Sequence, residues 1–270
     1  MIGFNYLGKM GQLGNQMFQY AALKGIATWK GYEYIFPNHN EVVDDGIGNK
    51  LRIELFDAFK ISHSRYGIIK TNKTIKEAHF HFDENLFNKC PDDYCLVGFF
   101  QTPKYFEHIE EQIRKDFEFK DGYIEDCEEL VEQFDNPIGL HIRRGDFLIN
   151  SGNHHNLSLK YYDEALSQFD KDRQVVIFSD DPDWCYKQKL FADDRFLISD
   201  KGNGPYHDLY MMTQCNDFII GNSTYSWWGA WLSNNPDKVV YYPNKWFGPN
   251  NRNNLTHDLF PESWRMIDEN

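Results

Sequence analysis

The sequence predicts an α/β fold built on parallel sheet, on three observations. Short β-rich runs alternate with helical ones along the chain, the run Val175-Val176-Ile177-Phe178 is apolar throughout, and a glycine-rich turn joins the first β run to the first helical one. A strand apolar on both faces has to be covered on both, which is how parallel strands between helices are buried.

Residues 2–7 form the first expected strand, and residues 15–29 the helix that follows the glycine turn. Strands at 32–36 and 94–100 precede helices at 103–119, opened by Thr102, and at 123–134. The last of these carries Glu125, Asp126, Glu128, Glu129 and Glu132, the load of a solvated face. It places the boundary between two lobes at 125/126, giving 1–125 and 126–270. The second lobe continues with a strand at 138–142, a helix at 158–169 after a serine cap signal, and the apolar strand at 175–178. A helix at 182–190 starts with Asp181 as cap and Pro182 in its first turn. Then come a helix at 206–215, a strand at 218–220, a helix at 225–232 whose three tryptophans make it too apolar to be exposed, and a strand at 239–242.

Of the 270 residues, 41% are hydrophobic and 17% aromatic, which excludes a disordered chain. Acidic residues outnumber basic ones 41 to 28, for a net charge of -13, and such a chain lacks the basic face that nucleic acid requires. No run approaches the ~18 apolar residues that cross a bilayer, and the start MIGFNYLGKMGQ has no signal-peptide pattern. A cytoplasmic protein is expected, with peripheral docking on a membrane left open. Five cysteines with no CxxC pair imply neither a disulfide framework nor a zinc knuckle, and no metal or cofactor is expected.

Four segments can carry chemistry. The loop from Gly8 to Gln16, closed by Gly14 and Asn15, has GxxGxxG spacing rather than the dinucleotide GxGxxG; it reads as a plain turn or as a ligand loop at a helix N-terminus. In His141-Ile142-Arg143-Arg144-Gly145-Asp146, strand alternation sends Ile138, Leu140 and Ile142 to the core and puts His141 and Arg143 together on the opposite face. That brings a guanidinium to the carboxyl end of a strand, where ligands of α/β sheets bind; the alternative is a surface ion pair between Arg144 and Asp146. The third segment, Phe178-Ser179-Asp180-Asp181-Pro182-Asp183, reads either as an ordinary helix cap or as a carboxylate, Asp181, that accepts the adjacent N1–H and N2–H donors of guanine. In the fourth, Gly221-Asn222-Ser223-Thr224-Tyr225-Ser226 sets hydroxyls and backbone N–H groups at the start of the tryptophan helix, a place suited to an anion.

Together these segments resemble the α-1,2-fucosyltransferase family of bacterial type and, more distantly, the α-1,6- and protein-O-fucosyltransferases. The resemblance is carried by GQLGNQMFQYA at 11–21, GFFQTPKYF at 98–106, HIRRGDF at 141–147, FSDDPDWC at 178–185, DLYMMTQCNDFIIGNSTYSWWGAWL at 208–232, and the PNKWF and LFPESW strings of the tail. It is poorest at 38–49 and 59–88. It implies a GT-B architecture of two Rossmann-like lobes with GDP-fucose in the cleft, the first lobe serving the acceptor and the second the donor. The implied reaction moves L-fucose to the 2-hydroxyl of a galactose residue in an oligosaccharide, inverting and metal-independent. Residue by residue, the resemblance gives catalytic roles to Arg143, at the β-phosphate and glycosidic oxygen, and to Asn15, at the fucose end with Gly14 beside it. His141 and Asp181 would hold guanine, Ser223, Thr224 and Tyr225 the pyrophosphate, and Arg144 would join the donor site. Phe147 and Thr224-Tyr225 depart from the family's frequent Tyr and Ser-Phe. Two other readings stay open on the residues alone, another nucleotide-binding Rossmann enzyme and a non-catalytic carbohydrate-binding protein.

Overall fold

The structure, a computed structural model, describes residues 1–62, 65–199 and 202–269. The chain divides into two units, Met1–Phe119 with Asn254–Pro261, and Lys120–Asn253 with Glu262–Asn270. The division at 119/120 precedes the acidic helix in which the sequence placed it, and 254–261 packs with the first unit. That return is held by hydrogen bonds: Thr102 Oγ1 donates to the Asp258 carbonyl at 2.7 Å and the Phe82 N–H to Asp258 Oδ2 at 2.9 Å.

The first unit runs β1 (Ile2–Gly3), α1 (Leu13–Lys30), β2 (Tyr34–Ile35), the antiparallel pair β3 (Val43–Asp44) and β4 (Lys50–Leu51), α2 (Leu55–Ala58), β5 (Thr74–Lys76), α3 (Glu84–Lys89), β6 (Tyr94–Val97) and α4 (Glu110–Asp116). Its main sheet has the order β2-β1-β6-β5 and is parallel throughout. β1 is shorter than the expected strand because the chain leaves the ladder after Gly3, and the Asn5 side chain takes up the backbone of Ile69 instead, donating to its carbonyl and accepting from its N–H. α1 is buried along most of its length, with Phe18 against Phe106 and Tyr20 against Phe36 and Phe117. The helix expected at 103–119 is two single 3₁₀ turns followed by α4, broken at Phe106, whose backbone (φ -139°, ψ 1°) is not helical.

The second unit runs α5 (Asp121–Val131), β7 (Ile138–Ile142), α6 (Gly145–Ile149), α7 (Leu159–Leu166), β8 (Val175–Ser179), α8 (Pro182–Tyr186), β9 (Phe196–Ile198), α9 (Pro205–Thr213), β10 (Asp217–Ile219), α10 (Thr224–Leu232), β11 (Val240–Pro243) and β12 (Arg265–Ile267). The six strands form one parallel sheet of order β12-β11-β10-β7-β8-β9. The chain steps outward from β7 to β9, crosses to the other side of β7 as β10, and steps outward again, so the order reverses between β7 and β10. Ile138, Leu140 and Ile142 pack with Tyr161, Tyr162 and Ala165 of α7 in the hydrophobic core. On the other face Gly139 lies against Cys215 and Phe218, and Trp227 and Trp228 of α10 are fully buried beside Trp231 and Trp264.

Candidate active site at the carboxyl ends of the strands

Ligands of open parallel sheets sit outside the carboxyl ends of the strands where the strand order reverses. In the second unit that point lies between β7 and β10, and three adjacent strand ends meet there. β7 brings His141 and Arg143, β8 brings Ser179 to Asp181, and β10 leads through Gly221 and Asn222 into α10.

Arg143 is held from two sides. Its Nη2 donates to Asp146 Oδ1 at 2.6 Å and its Nη1 lies 3.1 Å from Asp180 Oδ2, while the guanidinium stands 5.6 Å from the Phe147 ring centre. Two carboxylates on separate nitrogens fix the plane of the fork as well as its position. Asp146 is therefore the partner of Arg143, not of Arg144 as the ion-pair alternative had it. Arg144 turns the other way: its Nε donates to Asp181 Oδ2 at 3.1 Å and its guanidinium stacks 4.0 Å from the Trp184 ring centre. Its backbone N–H donates to Asp180 Oδ1 at 2.8 Å, so Asp180 ties both arginines to the end of β8.

His141 does not stand on an open face. It is buried, the Tyr225 ring centre lies 5.5 Å from its own, and its Nδ1 has no hydrogen-bond partner among the described residues. Burial, with Arg143 nearby, pushes its pKa down to about 3, so the imidazole is neutral at physiological pH and offers a donor or an acceptor rather than a charge. The alternation that separates it from Ile142 is as expected; what the sequence does not reveal is that α10 covers this face too.

Asp181 caps α8, its Oδ1 accepting from the Trp184 N–H at 3.2 Å, and its other oxygen takes the Arg144 bond. The helix-start reading is thus present in the structure, and any ligand must share these oxygens. In the turn after β10, Ser223 Oγ caps α10 by accepting from the Tyr225 N–H at 3.3 Å. Ser226 is buried and donates to the Gly221 and Ser223 carbonyls, the Tyr225 hydroxyl donates to the Pro205 carbonyl at 2.5 Å, and Thr224 is half-buried at the first position of the helix. Asn222, unassigned from the sequence, anchors the turn by donating to the His155 and Trp246 carbonyls at 2.8 and 2.9 Å. His155 is in turn 2.6 Å from Glu269 Oε2, whose other oxygen accepts from the Ser158 N–H.

The glycine loop belongs to the first unit. Gly14 is buried in the opening turn of α1, and the half-buried Asn15 accepts through Oδ1 from Gln101 Nε2 at 2.7 Å, a bond between the first turn of α1 and the loop after β6. Two buried glutamines stitch the loop down. Gln16 donates to the Gly11 and Arg52 carbonyls and accepts from the Glu54 N–H, and Gln19 donates to the Met10 and Gly98 carbonyls. Gln16, Gln19 and Gln101 were not assigned from the sequence; for Gln16 and Gln19 the signal present there was amides among the apolar residues of the first half of α1, and for Gln101 there was none. Among the described residues no group of three or more His, Cys, Asp or Glu is placed to hold a metal ion, and no helix is long and apolar enough to cross a membrane.

The family model described as glycosyl transferase family 11 matches residues 2–268. The chain is 31% identical over 226 residues to the O-antigen biosynthesis glycosyltransferase WbnK of Escherichia coli, covering 78% of this chain and 73% of that protein. It is 32% identical over 185 residues to an alpha-1,2-colitosyltransferase of Escherichia coli, covering 64% of this chain and 62% of that protein. With galactoside alpha-(1,2)-fucosyltransferase 1 of Sus scrofa it shares 24% identity over 248 residues, 83% of this chain and 64% of that protein. It thus spans less than two thirds of the length of the latter two relatives. Among solved structures, POFUT1 in complex with GDP is similar with a TM-score of 0.55 at 13% identity, over 89% of this chain and 97% of that one. The fucosyltransferase NodZ from Bradyrhizobium gives 0.51 at 11% identity, over 80% and 88%. At such identities the likeness is one of fold, an α/β fold with parallel sheets.

Proposed function

The chain belongs to glycosyl transferase family 11, and on that footing we propose that it transfers L-fucose from GDP-fucose to the 2-hydroxyl of a galactose residue in a glycan, with inversion and without a metal ion. The observation that carries the reading is the pairing, at the reversal of strand order, of a guanidinium clamped by Asp146 and Asp180 with the N-terminal end of α10. As the acceptor oxygen bonds to the anomeric carbon and the GDP leaves, negative charge grows on the β-phosphate. A preset arginine fork and a helix N-terminus aimed at that charge supply what a divalent cation supplies elsewhere. On this reading Ser223, Thr224 and Tyr225 line the pyrophosphate, neutral His141 and Asp181 address the guanine, Arg144 supports the donor site, and Gly14 and Asn15 meet the fucose end. Two units, each with its own parallel sheet, are the parts of a GT-B enzyme, the first serving the acceptor and the second the donor. A cytoplasmic location belongs to the same proposal, and the five cysteines, all buried and unpaired, suit a reducing compartment. A dehydrogenase or a non-catalytic binding module would leave the family match unexplained.

The test is turnover of GDP-fucose with lactose, lacto-N-biose and N-acetyllactosamine, reading GDP release and the linkage of the product. A new fucose on the galactose 2-oxygen supports the proposal. Transfer from GDP-colitose in preference to GDP-fucose would move the donor to that of the colitosyltransferase relative, and no transfer to any galactoside would overturn the acceptor.

Transfer is expected to continue undiminished in excess EDTA, because the cationic and dipolar groups at the site are the protein's own. Activity lost to the chelator and restored by Mn²⁺ or Mg²⁺ would turn Asp181-Pro182-Asp183 into a metal site.

Asp181→Asn is expected to weaken discrimination between GDP and ADP by roughly 1–3 kcal/mol, since a donor then faces the donors of guanine. The variant keeps an oxygen for the α8 cap, so competition binding of the two nucleotides, read beside a thermal melt, separates the roles. Unchanged discrimination with a lower melting temperature would leave Asp181 as the cap and the partner of Arg144 alone.

A further inference from the structure

Glu77 follows β5 at the carboxyl end of the first unit's sheet, in one of the segments where the resemblance is poorest. Its Oε2 accepts from two consecutive backbone donors, Phe99 N–H at 3.0 Å and Phe100 N–H at 3.1 Å, while its Oε1 is buried with no hydrogen-bond partner among the described residues. The turn it grips is not one the backbone adopts by itself: Phe100 lies in the left-handed region at φ 53°, wedged between Phe4 and Tyr105 with ring centres 5.9 and 5.2 Å away. The next residue is Gln101, whose amide donates to Asn15. The Phe100 N–H is partly shielded from water and would pay a desolvation penalty without an acceptor, so the oxygen at the Oε2 position favours the left-handed turn.

We propose that Glu77 is a positioning residue for the transfer reaction: its carboxyl folds the turn 98–101 so that Gln101 holds the Asn15 amide at the sugar end of the site. This rests on the reading of Asn15 given above. The ionisable groups acting on Glu77 among the described residues are Asp83 at the cap of α3, Asp258 of the returning segment and the Tyr105 hydroxyl, with Lys104 and His257 each 3.9 Å from the Asp258 carboxylate beyond. Burial, reinforced by Asp83 and Asp258 against the pull of the two N–H groups, pushes the Glu77 carboxyl up to about 8. Its pKa is raised on folding, so its contribution to stability is full below the ordinary carboxyl range and is lost as pH rises through the folded value. Below that value the carboxyl is neutral, and above it a buried anion stands beside Asp83 and Asp258.

Glu77→Ala should lower kcat on the order of 10–10²-fold, the scale of a small misplacement of a reacting geometry, with GDP affinity, a property assigned to the second unit, unchanged. Glu77→Gln keeps an oxygen for both N–H groups and mimics the neutral acid. It should retain most of the activity and remove the alkaline decline of kcat expected of the wild type as the Glu77 carboxyl ionises. A crystal structure of Glu77→Ala should show the Asn15–Gln101 bond broken. Wild-type kcat in Glu77→Ala, or that bond intact in its crystal structure, would overturn the proposal. Should the alanine variant fail to fold, an alkaline decline that persists in Glu77→Gln would overturn it too. If the wild type moves no fucose, the functional reading fails separately, and the crystal structure still decides whether Glu77 sets Asn15.

Discussion

Replacing Arg143 by alanine is expected to lower kcat on the order of 10²–10³-fold, while affinity for GDP falls far less. A charge that exists only as the glycosidic bond breaks is stabilised only in the transition state, so its loss appears in kcat. The clamp by Asp146 and Asp180 is what makes the group effective, since a guanidinium fixed before the reaction needs no reorganisation during it. Arg143→Lys should recover little. One ammonium cannot meet two carboxylates through two coplanar nitrogens and still present a planar edge to phosphate and glycosidic oxygens. Arg144 supplies the contrast, because its side chain is spent on Asp181 and on the face of Trp184. Its loss should fall on stability and donor affinity rather than on kcat. Steady-state kinetics and thermal melts of the three variants check this. An Arg143→Ala enzyme with near-normal kcat would remove the central residue from the mechanism, and an equal kcat loss at Arg144 would show that the two side chains share one task.

How far the sequence reaches is clearest at these arginines. That a guanidinium stands at the end of a strand follows from the alternation of Ile138, Leu140 and Ile142, and the strand 138–142 is found with those bounds. Which carboxylate each arginine meets is a matter of register between strands, and one sequence carries no register. In the structure His141 pairs with Phe178 and Ile142 with Ser179. Continued by one and two residues past the ladder, that register sets Arg143 beside Asp180 and Arg144 beside Asp181, the ion pairs observed. Read without it, Asp180 looks like a spacer before the cap residue, and Asp146 looks like the partner of the nearer arginine. The five strands that were missed are short, β3 and β4 being two-residue strands paired with each other. β5, β9 and β12 are three-residue strands at sheet edges, too short to establish an alternation, and the exposure of Leu197 and Met266, 39% and 57%, shows that burial does not select their residues. The buried strand at 175–178 and the tryptophan helix were legible because burial on every side selects composition directly. The return of 254–261 to the first unit leaves no mark in composition, since it is held by hydrogen bonds from Thr102 and Phe82.

Gly11→Ala is expected to lower kcat on the order of 10²-fold and to destabilise the first unit, whereas Gly31→Ala should destabilise it with no effect on kcat. Both glycines have left-handed backbones, φ 85° at Gly11 and φ 67° at Gly31, where a Cβ costs about 1–2 kcal/mol whatever the surroundings. They differ in what that Cβ would meet. At Gly31, the C-cap of α1, there is nothing within 4 Å. At Gly11 the Cβ would lie 2.1 Å from Asn15 Nδ2 and 2.7 Å from both Asn15 Cβ and Cγ. The Asn15 Cβ is rooted on the first turn of α1, so rotating the amide cannot clear the contact: either the loop backs away, against the bond from Gln16 to the Gly11 carbonyl, or α1 shifts. Either movement pulls the Asn15 amide from Gln101, and with it the group assigned to the sugar end of the site. Backbone strain alone cannot produce the difference between the two variants, because both carry it. Melting temperatures and kcat for the pair, with GDP affinity as the internal reference, decide the matter. Equal kcat losses would make the effect one of stability, and a Gly11→Ala enzyme with full kcat would take Asn15 out of the reaction and leave the glycine loop as a plain turn.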